Sequence, residues 1–361
     1  MRGEVAAGPL LADALDRCLG CRACESACPS GVAYHRIRQA GQDRLRRAWP
    51  PARRLPFLPR QALRLVRRPR RLARALSLAA RLRRLPWPPG WRRYAPMLGY
   101  RPQALPPLPD PGPGARPAAF FTGCVQEAMF ADANRAAEAL LTAAGYRVQR
   151  PEGQGCCGAL ALHAGRVEEA KSLARANLDA FAGTEGPVVN TAGGCGAMLA
   201  EYGELLAGDP AYAARARAFA SRVRDWATLL REAPPLPFRG EGRRVTLQNS
   251  CHLVHVEGAG ADPPALLRTV EGDTFLPLPG QDQCCGSAGV YNLTHPDFAF
   301  AILDGRMAEV AALPADLVLV NNPGCQLQLR LGAARTRQTP PPEVQHLAVY
   351  LYRAWIRARD G

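Results

Sequence analysis

Eight of the twelve cysteines in this 361-residue chain write one pattern twice. Cys124, Cys156, Cys157 and Cys195 form the first copy, and Cys251, Cys284, Cys285 and Cys325 the second. The single cysteine and the Cys-Cys pair are separated by 31 residues in one copy and 32 in the other; the pair and the last cysteine are separated by 37 and 39. Two copies offset by about 128 residues mean duplication of one folding unit, which restricts the chain to architectures built from a repeated module.

The local pattern says what the module is. Ala118 to Phe121 reads as a buried strand running into Cys124, and Asp132 to Ala144 as an Ala/Leu-rich helix closed by Gly145. Tyr146 to Val148 is a second strand leading to the turn Gly155, Cys156, Cys157, Gly158. Val167 to Ala182 is a helix, and Pro187 to Asn190 a third strand ending at Cys195. In the second copy, Arg244 to Gln248 and Asp316 to Asn321 read as strands, Pro264 to Val270 and Pro296 to Ala312 as helices, and Asp273 to Leu278 leads into Cys284, Cys285 and Gly286. Alternating strands and helices imply a parallel sheet, whose βα loops gather on the carboxyl edge and bring distant thiols together. Glycines such as Gly158, Gly194, Gly286 and Gly324 leave backbone N–H groups near those sulfurs, which favours anionic sulfur.

Ahead of the repeats stand Cys18, Cys21, Cys24 and Cys28, followed by Pro29. Gaps of two, two and three residues closed by proline are the ferredoxin-type spacing of thiolates that wrap a [4Fe-4S] cube. A structural zinc site would show two separated Cys-x-x-Cys knuckles. All twelve cysteines are therefore candidate metal ligands, the first four for at least one [4Fe-4S] cluster; a second cluster or zinc remains open for the repeats.

No secretory signal is recognisable near Met1 to Leu11, and no run reaches the roughly 18 apolar residues of a membrane span. Twelve cysteines then argue for reduced thiols in an oxygen-sensitive, cytoplasmic protein. The formal charge of +15 is concentrated: Arg44 to Arg101 contains eighteen arginines, and no acidic residue occurs from Arg44 to Pro109. Pro50, Pro51, Pro56, Pro59, Pro69, Pro86, Pro88 and Pro89 limit helices there to short pieces. Between Pro69 and Pro86, Leu72, Leu76, Leu78, Ala79 and Leu82 recur at near-helical spacing among arginines. Such a segment can lie on the inner face of an anionic membrane, dock on an acidic partner, or simply connect domains. No nucleic-acid module accompanies the charge, so nucleic acid is not an expected partner.

The Cys-Cys-Gly repeats resemble the cysteine-rich (CCG) domain shared by heterodisulfide reductase, anaerobic glycerol-3-phosphate dehydrogenase and lactate-utilisation proteins. The order of ferredoxin motif, basic linker and doubled domain most closely resembles the iron-sulfur subunit of glycolate oxidase (glycolate dehydrogenase). Supporting wording runs over Leu15 to Cys18, Cys28 to Val32 with Tyr34 and His35, Thr191 to Ala197, Glu201 to Gly203, Cys284 to Gly289 with Tyr291, and Leu293 to Asp297. The resemblance implies an α/β fold: a small ferredoxin-type cluster domain plus a duplicated Rossmann-like cysteine-rich domain joined by a basic helical linker. The expected divisions are 1–42 for the motif region, 43–117 for the Arg/Pro-rich linker, 118–235 for the first repeat and 236–361 for the second.

Two departures from the pattern bear on chemistry. Heterodisulfide reductase relatives carry a further cysteine three positions before the last one of each repeat; here those places are Ala192 and Asn322. Their non-cubane cluster therefore cannot simply be carried over. His252, beside Cys251, can serve as a nitrogen ligand or a hydrogen-bond donor to a cluster sulfur, but a lone histidine more often has a supporting or structural role. The subunit that the chain resembles also usually carries another ferredoxin motif upstream, and the fourth cysteine of such a run ligates the other cluster. The expectation is a start that is truncated or misassigned, or thiols supplied by another polypeptide; Cys28 completing one rearranged cluster is the alternative.

No Gly-x-Gly-x-x-Gly loop, phosphate loop or Ser/His/Asp wording of a hydrolase is present. The expected function is thus division of labour within an oxidoreductase: an FAD-containing subunit oxidises glycolate to glyoxylate, and this chain carries the electrons to a quinone or another acceptor, with no catalytic acid or base of its own. D-lactate or another 2-hydroxy acid as substrate, a heterodisulfide-reductase-like role, and a zinc scaffold binding nucleic acid are the rivals.

Overall fold

A computed structural model describes residues 6–48, 61, 64–65, 69–82 and 93–360. Two parallel four-stranded sheets of matching order carry the repeats. The first joins β1 (Arg116–Phe120), β2 (Tyr146–Gln149), β3 (Val188–Asn190) and β4 (Val223–Asp225) in the order β2-β1-β3-β4. A short pair follows, β5 (Phe238–Arg239) with β7 (Val270–Glu271). The second sheet joins β6 (Arg244–Gln248), β8 (Thr274–Phe275), β9 (Leu317–Val320) and β10 (Glu343–His346) in the order β8-β6-β9-β10. Arg116 pairs with Tyr146 at one end of the first sheet, and Val245 with Leu317 and Phe275 at the centre of the second.

Both faces of each sheet are covered, so the central strands are largely buried on both faces rather than alternating between core and solvent; all four residues of β9 are apolar and buried. Their side chains nevertheless divide by parity, as the pleat requires. Phe120 and Val189 from the first sheet, with Val245, Leu247, Leu317 and Leu319 from the second, enter one core common to both repeats. Ala119, Phe121 and Val188 face a separate core on the other side of the first sheet. Val318 and Val320 do the same for the second. Helix Leu347–Asp360, at the end of the chain, packs against helix Ala131–Ala143 of the first repeat, carrying Leu347, Tyr350 and Trp355 into the shared core. The repeats are consecutive in sequence but fused in packing.

Several boundaries differ from the sequence reading. The helix expected over Pro264 to Val270 runs over Asp262–Leu267, because Val270 is taken into the pairing with Phe238. The run from Asp273 to Leu278 contributes Thr274–Phe275 as strand. Each sheet also has a fourth strand, β4 and β10, that the local pattern does not announce.

The amino-terminal segment folds as helices Pro9–Asp16, Ala23–Ser26 and Tyr34–Ala48 around a small core of Ala12, Leu15 and Leu45. The first and third cross closely at Gly41, where a Cβ would stand 2.6 Å from a Leu15 methyl. In the basic segment, helix Pro69–Leu82 buries Leu72 and packs on helix Cys124–Met129, whereas Leu78 is 57 % exposed and so does not share the buried stripe expected from spacing. Pro50, Pro51, Pro56, Pro59, Pro86, Pro88 and Pro89 lie outside the described residues, as do the side chains of Ala79 and Leu82. Among the described residues, no helix is long and apolar enough to cross a membrane.

Candidate metal centre

The carboxyl ends of β1 and β3, and the turn after β2, deliver the first four repeat thiols to one place. Cys124 opens helix Cys124–Met129 directly after Gly123, whose φ of +68° is left-handed and whose Cβ position lies 3.5 Å from Cys195 Sγ. Cys156 and Cys157 precede helix Ala159–His163, and Cys195 is the third residue of helix Gly193–Ala200. The sulfurs touch in series: Cys124 meets Cys156, and Cys157 meets both Cys156 and Cys195. The second repeat reproduces this. Cys251 contacts Cys284, Cys284 contacts Cys285, and Cys285 Sγ donates to Cys325 Sγ at 3.1 Å. Gly286 is the special backbone position here: its φ is +87°, and any Cβ would stand 2.7 Å from the carbonyl oxygen of Ala299. Its N–H donates to Cys284 Sγ at 3.4 Å.

These groupings fit a metal centre by donor chemistry. Hydrogen bonding between neighbouring sulfurs, followed by burial, pushes Cys124, Cys157 and Cys251 well above the ordinary thiol range, so they hold their protons at neutral pH. Only cations placed among them would let all four ionise. As the side chains stand, no group of three or more His, Cys, Asp or Glu among the described residues is arranged to hold a metal ion. The 3.1 Å contact between Cys285 and Cys325 is shorter than the edge of about 3.8 Å in a zinc–thiolate tetrahedron with bonds of about 2.3 Å, so metal entry requires the sulfurs to part.

Cys18, Cys21 and Cys24 form a third grouping. The thiol of Cys21 is raised by burial and also feels the charges of Cys251, Cys18 and Cys24. A cavity of about 110 Å³ opens beside them, lined among others by Cys18, Cys21, Cys24, His163, Glu201 and His252. The N–H of Gly20 donates to Cys18 Sγ at 3.4 Å. Cys28 stands apart. Backbone N–H groups of Val32, Ser30 and Gly31 lower its thiol below the ordinary range, and no cysteine is among the groups that act on it.

The motif is tied to both repeats. Tyr291 Oη donates to the carbonyl of Arg17 at 3.0 Å, and His255 Nδ1 lies 2.9 Å from Ser26 Oγ. Arg36 pairs with Glu204 at 2.7 Å, and Arg22 with Glu201. His252, for which the sequence left a ligand, a donor to sulfur and the more ordinary structural role open, has its Nε2 2.9 Å from the carbonyl oxygen of Gly20, as the structural role requires. Burial lowers His252 and takes His163, stacked on it at 5.8 Å, to about 3, so both rings are neutral and Nε2–H of His252 donates to that carbonyl.

Residues 118–200 and 245–330 match the cysteine-rich domain family, CCG. The chain is 35% identical to the probable glycolate oxidase iron-sulfur subunit of Bacillus subtilis, over 94% of this chain and 82% of that protein. It belongs to the glycolate oxidase iron-sulfur subunit family. The subunit of that name from Escherichia coli is 34% identical over 89% of this chain and 79% of its own length. Lactate utilization protein A of Geobacillus kaustophilus is 30% identical over 64% of this chain and 97% of its own.

Within this iron-sulfur subunit fold, side chains whose role sequence reasoning passes over hold the thiol loops. Asn177 Nδ2 donates to the carbonyl of Cys156 at 3.0 Å and to Tyr202 Oη at 2.9 Å; Tyr202 Oη in turn donates to the carbonyl of Cys157 at 2.8 Å. Asn177 gives no local signal, and Tyr202, although it lies in the Glu201 to Gly203 wording, shows nothing in sequence of its bond to the carbonyl of Cys157.

Proposed function

We propose that this chain is the electron-transferring iron-sulfur subunit of a complex that oxidises glycolate to glyoxylate. A separate FAD-containing subunit takes two electrons from the substrate, and this chain passes them singly to a quinone or another acceptor. The thiols of Cys18, Cys21 and Cys24 hold a [4Fe-4S] cluster, and Cys28 presents its sulfur away from them for a second. The quartets Cys124, Cys156, Cys157, Cys195 and Cys251, Cys284, Cys285, Cys325 each hold a further centre. When bound, these groups supply one-electron redox chemistry.

The observation that carries the reading is adjacency: His252, next to Cys251, lies 2.9 Å from the carbonyl oxygen of Gly20, next to Cys21, which supports the motif and the second repeat as neighbouring stations. The protein's own part is to exclude water, donate N–H groups such as those of Gly20 and Gly286 to the sulfurs, and hold the stations in register through His252 and Tyr291. Arg71, Arg74 and Arg81 on the exposed side of helix Pro69–Leu82 suit contact with an anionic membrane surface, where quinone resides.

Expected in a dye-reduction assay is no glycolate turnover by the isolated chain and turnover once the FAD-containing subunit is added. Glycolate oxidation by the isolated chain would overturn the reading. The likeness to lactate utilization protein A favours, as a second reading, the same role with lactate; the same assay with each acid in turn separates them.

A further inference from the structure

The two repeats are built alike, yet their sulfurs meet different partners. In the second repeat, Asn322 Nδ2 donates to Cys325 Sγ at 3.6 Å. Its Oδ1 accepts the backbone N–H of Gly194, from the first repeat, at 3.2 Å. That second bond fixes the amide orientation, because an oxygen turned toward an N–H leaves the NH₂ aimed at the sulfur. The corresponding place in the first repeat, three residues before Cys195, is Ala192, which has no side-chain donor.

Charge differs in the same sense. Arg306 is buried in the second repeat, donates to Gln248 Oε1 at 2.9 Å, and lies within charge range of Cys285; Glu309 and Asp282 are its acidic neighbours. Counted from the start of the equivalent helices, Pro296–Ala311 and Val167–Ala180, its counterpart is the uncharged Asn177. The first quartet instead has Glu257 near Cys195, with Oε1 sealed and unpartnered. A carboxyl group supplies no positive charge in either protonation state, so Glu257 gives the first quartet no counterpart to the guanidinium of Arg306.

We propose that Asn322 is a positioning residue that makes the two repeat centres unequal, so that the centre of the second repeat has the higher reduction potential and is reduced first. The inference rests on the reading that each repeat holds a redox metal centre. Reduction adds one electron, drawn from the reduced flavin of the partner or from dithionite in a titration, and so one negative charge. An N–H donated to a ligand sulfur and a nearby guanidinium both stabilise the more negative state. The second repeat also adjoins the motif: Cys251 is within charge range of Cys21, and Tyr291 feels both Cys18 and Cys284. Electrons entering by the motif thus meet the higher-potential repeat first.

The test is a dithionite titration of anaerobically purified full-length protein, followed by electron paramagnetic resonance, for the wild type, Asn322→Asp and Asn322→Ala. Asn322→Asp keeps the acceptor for Gly194 N–H while removing the donor to Cys325; Asn322→Ala removes the donor without adding charge. Expected are unequal potentials for the repeat centres in the wild type, with the higher of the two shifted downward in both variants and the lower one unmoved. Unmoved potentials in variants that retain wild-type iron and sulfide would overturn the proposal, as would a shift confined to the lower-potential centre. Iron and sulfide absent from the repeats would be seen by analysis before any titration, and would instead defeat the reading on which the proposal rests.

Discussion

Cys285→Ser is expected to empty the second repeat and to lower electron transfer from the FAD-containing subunit by more than about a hundredfold, since even the outer partners of metal ligands contribute tenfold to a hundredfold in affinity or activity. Cys285 sits mid-series in its quartet, touching Cys284 on one side and Cys325 on the other, and it is buried. Serine keeps the volume nearly unchanged but is a poor ligand for a soft metal. The shared core lies on the other side of the sheet strands, so folding should persist. Metal analysis and dye reduction on the same preparation check this. Full iron content with unimpaired reduction would show that Cys285 is a buried small residue and not a ligand.

A second large effect is expected in the pH dependence of stability, and it comes from Asp225. This residue caps helix Trp226–Glu232 by accepting the N–H of Ala227 at 2.9 Å, but its Oδ2 is buried without a partner. Burial, opposed by the Ala227 bond and reinforced by Asp262, lifts its carboxyl from 3.8 to about 7. Facing it are Asp262, which is held by Thr228 Oγ1 at 2.6 Å and by Arg231, and Glu257. The raised value means that the folded protein keeps a proton the unfolded chain releases. The associated stability is complete below about pH 4 and is lost as pH rises through about 7, a change on the order of 4 kcal/mol. Asp225→Asn preserves the cap and removes the titration. Its urea-unfolding stability should therefore vary less between pH 4 and pH 7 than that of the wild type. Identical pH slopes in the two proteins would refute the assignment.

What the sequence made legible was the duplicated part. The local pattern in both copies identified strands β1, β2, β3, β6 and β9 and put Cys124, Cys195, Cys251 and Cys325 at helix starts after strands, whereas Cys284 and Cys285 lie in the loop between β8 and helix Tyr291–Thr294. Of the edge strands, β2 was legible as Tyr146 to Val148, and β4 and β10 were not. β4 is the three-residue Val-Arg-Asp, and β10 is Glu-Val-Gln-His with one apolar residue, so both are recruited by pairing with a neighbour rather than by their own pattern. Nor could spacing show that helix Leu347–Asp360 crosses to the first repeat and fuses the cores.

At the site, the types of residue were visible and their relations were not. The four cysteines of the motif look equivalent in sequence, yet Cys28 faces backbone N–H groups instead of its companions. His252 stands beside a ligand candidate in sequence, but its nitrogen is committed to the carbonyl of Gly20, 232 residues away. Asn322 registered only as the place of a missing cysteine, and its bond to Gly194 depends on the approach of one repeat to the other.

Iron, acid-labile sulfide and zinc per chain, measured on protein purified anaerobically after coexpression with the proposed FAD-containing subunit, test the central claim of a multi-centre electron relay most directly. More than about four irons with matching sulfide are expected, since the motif cluster alone accounts for about four. One or two zinc ions per chain with about four irons or fewer would contradict it, making the repeats structural and confining electron transfer to the end that carries Cys18, Cys21 and Cys24.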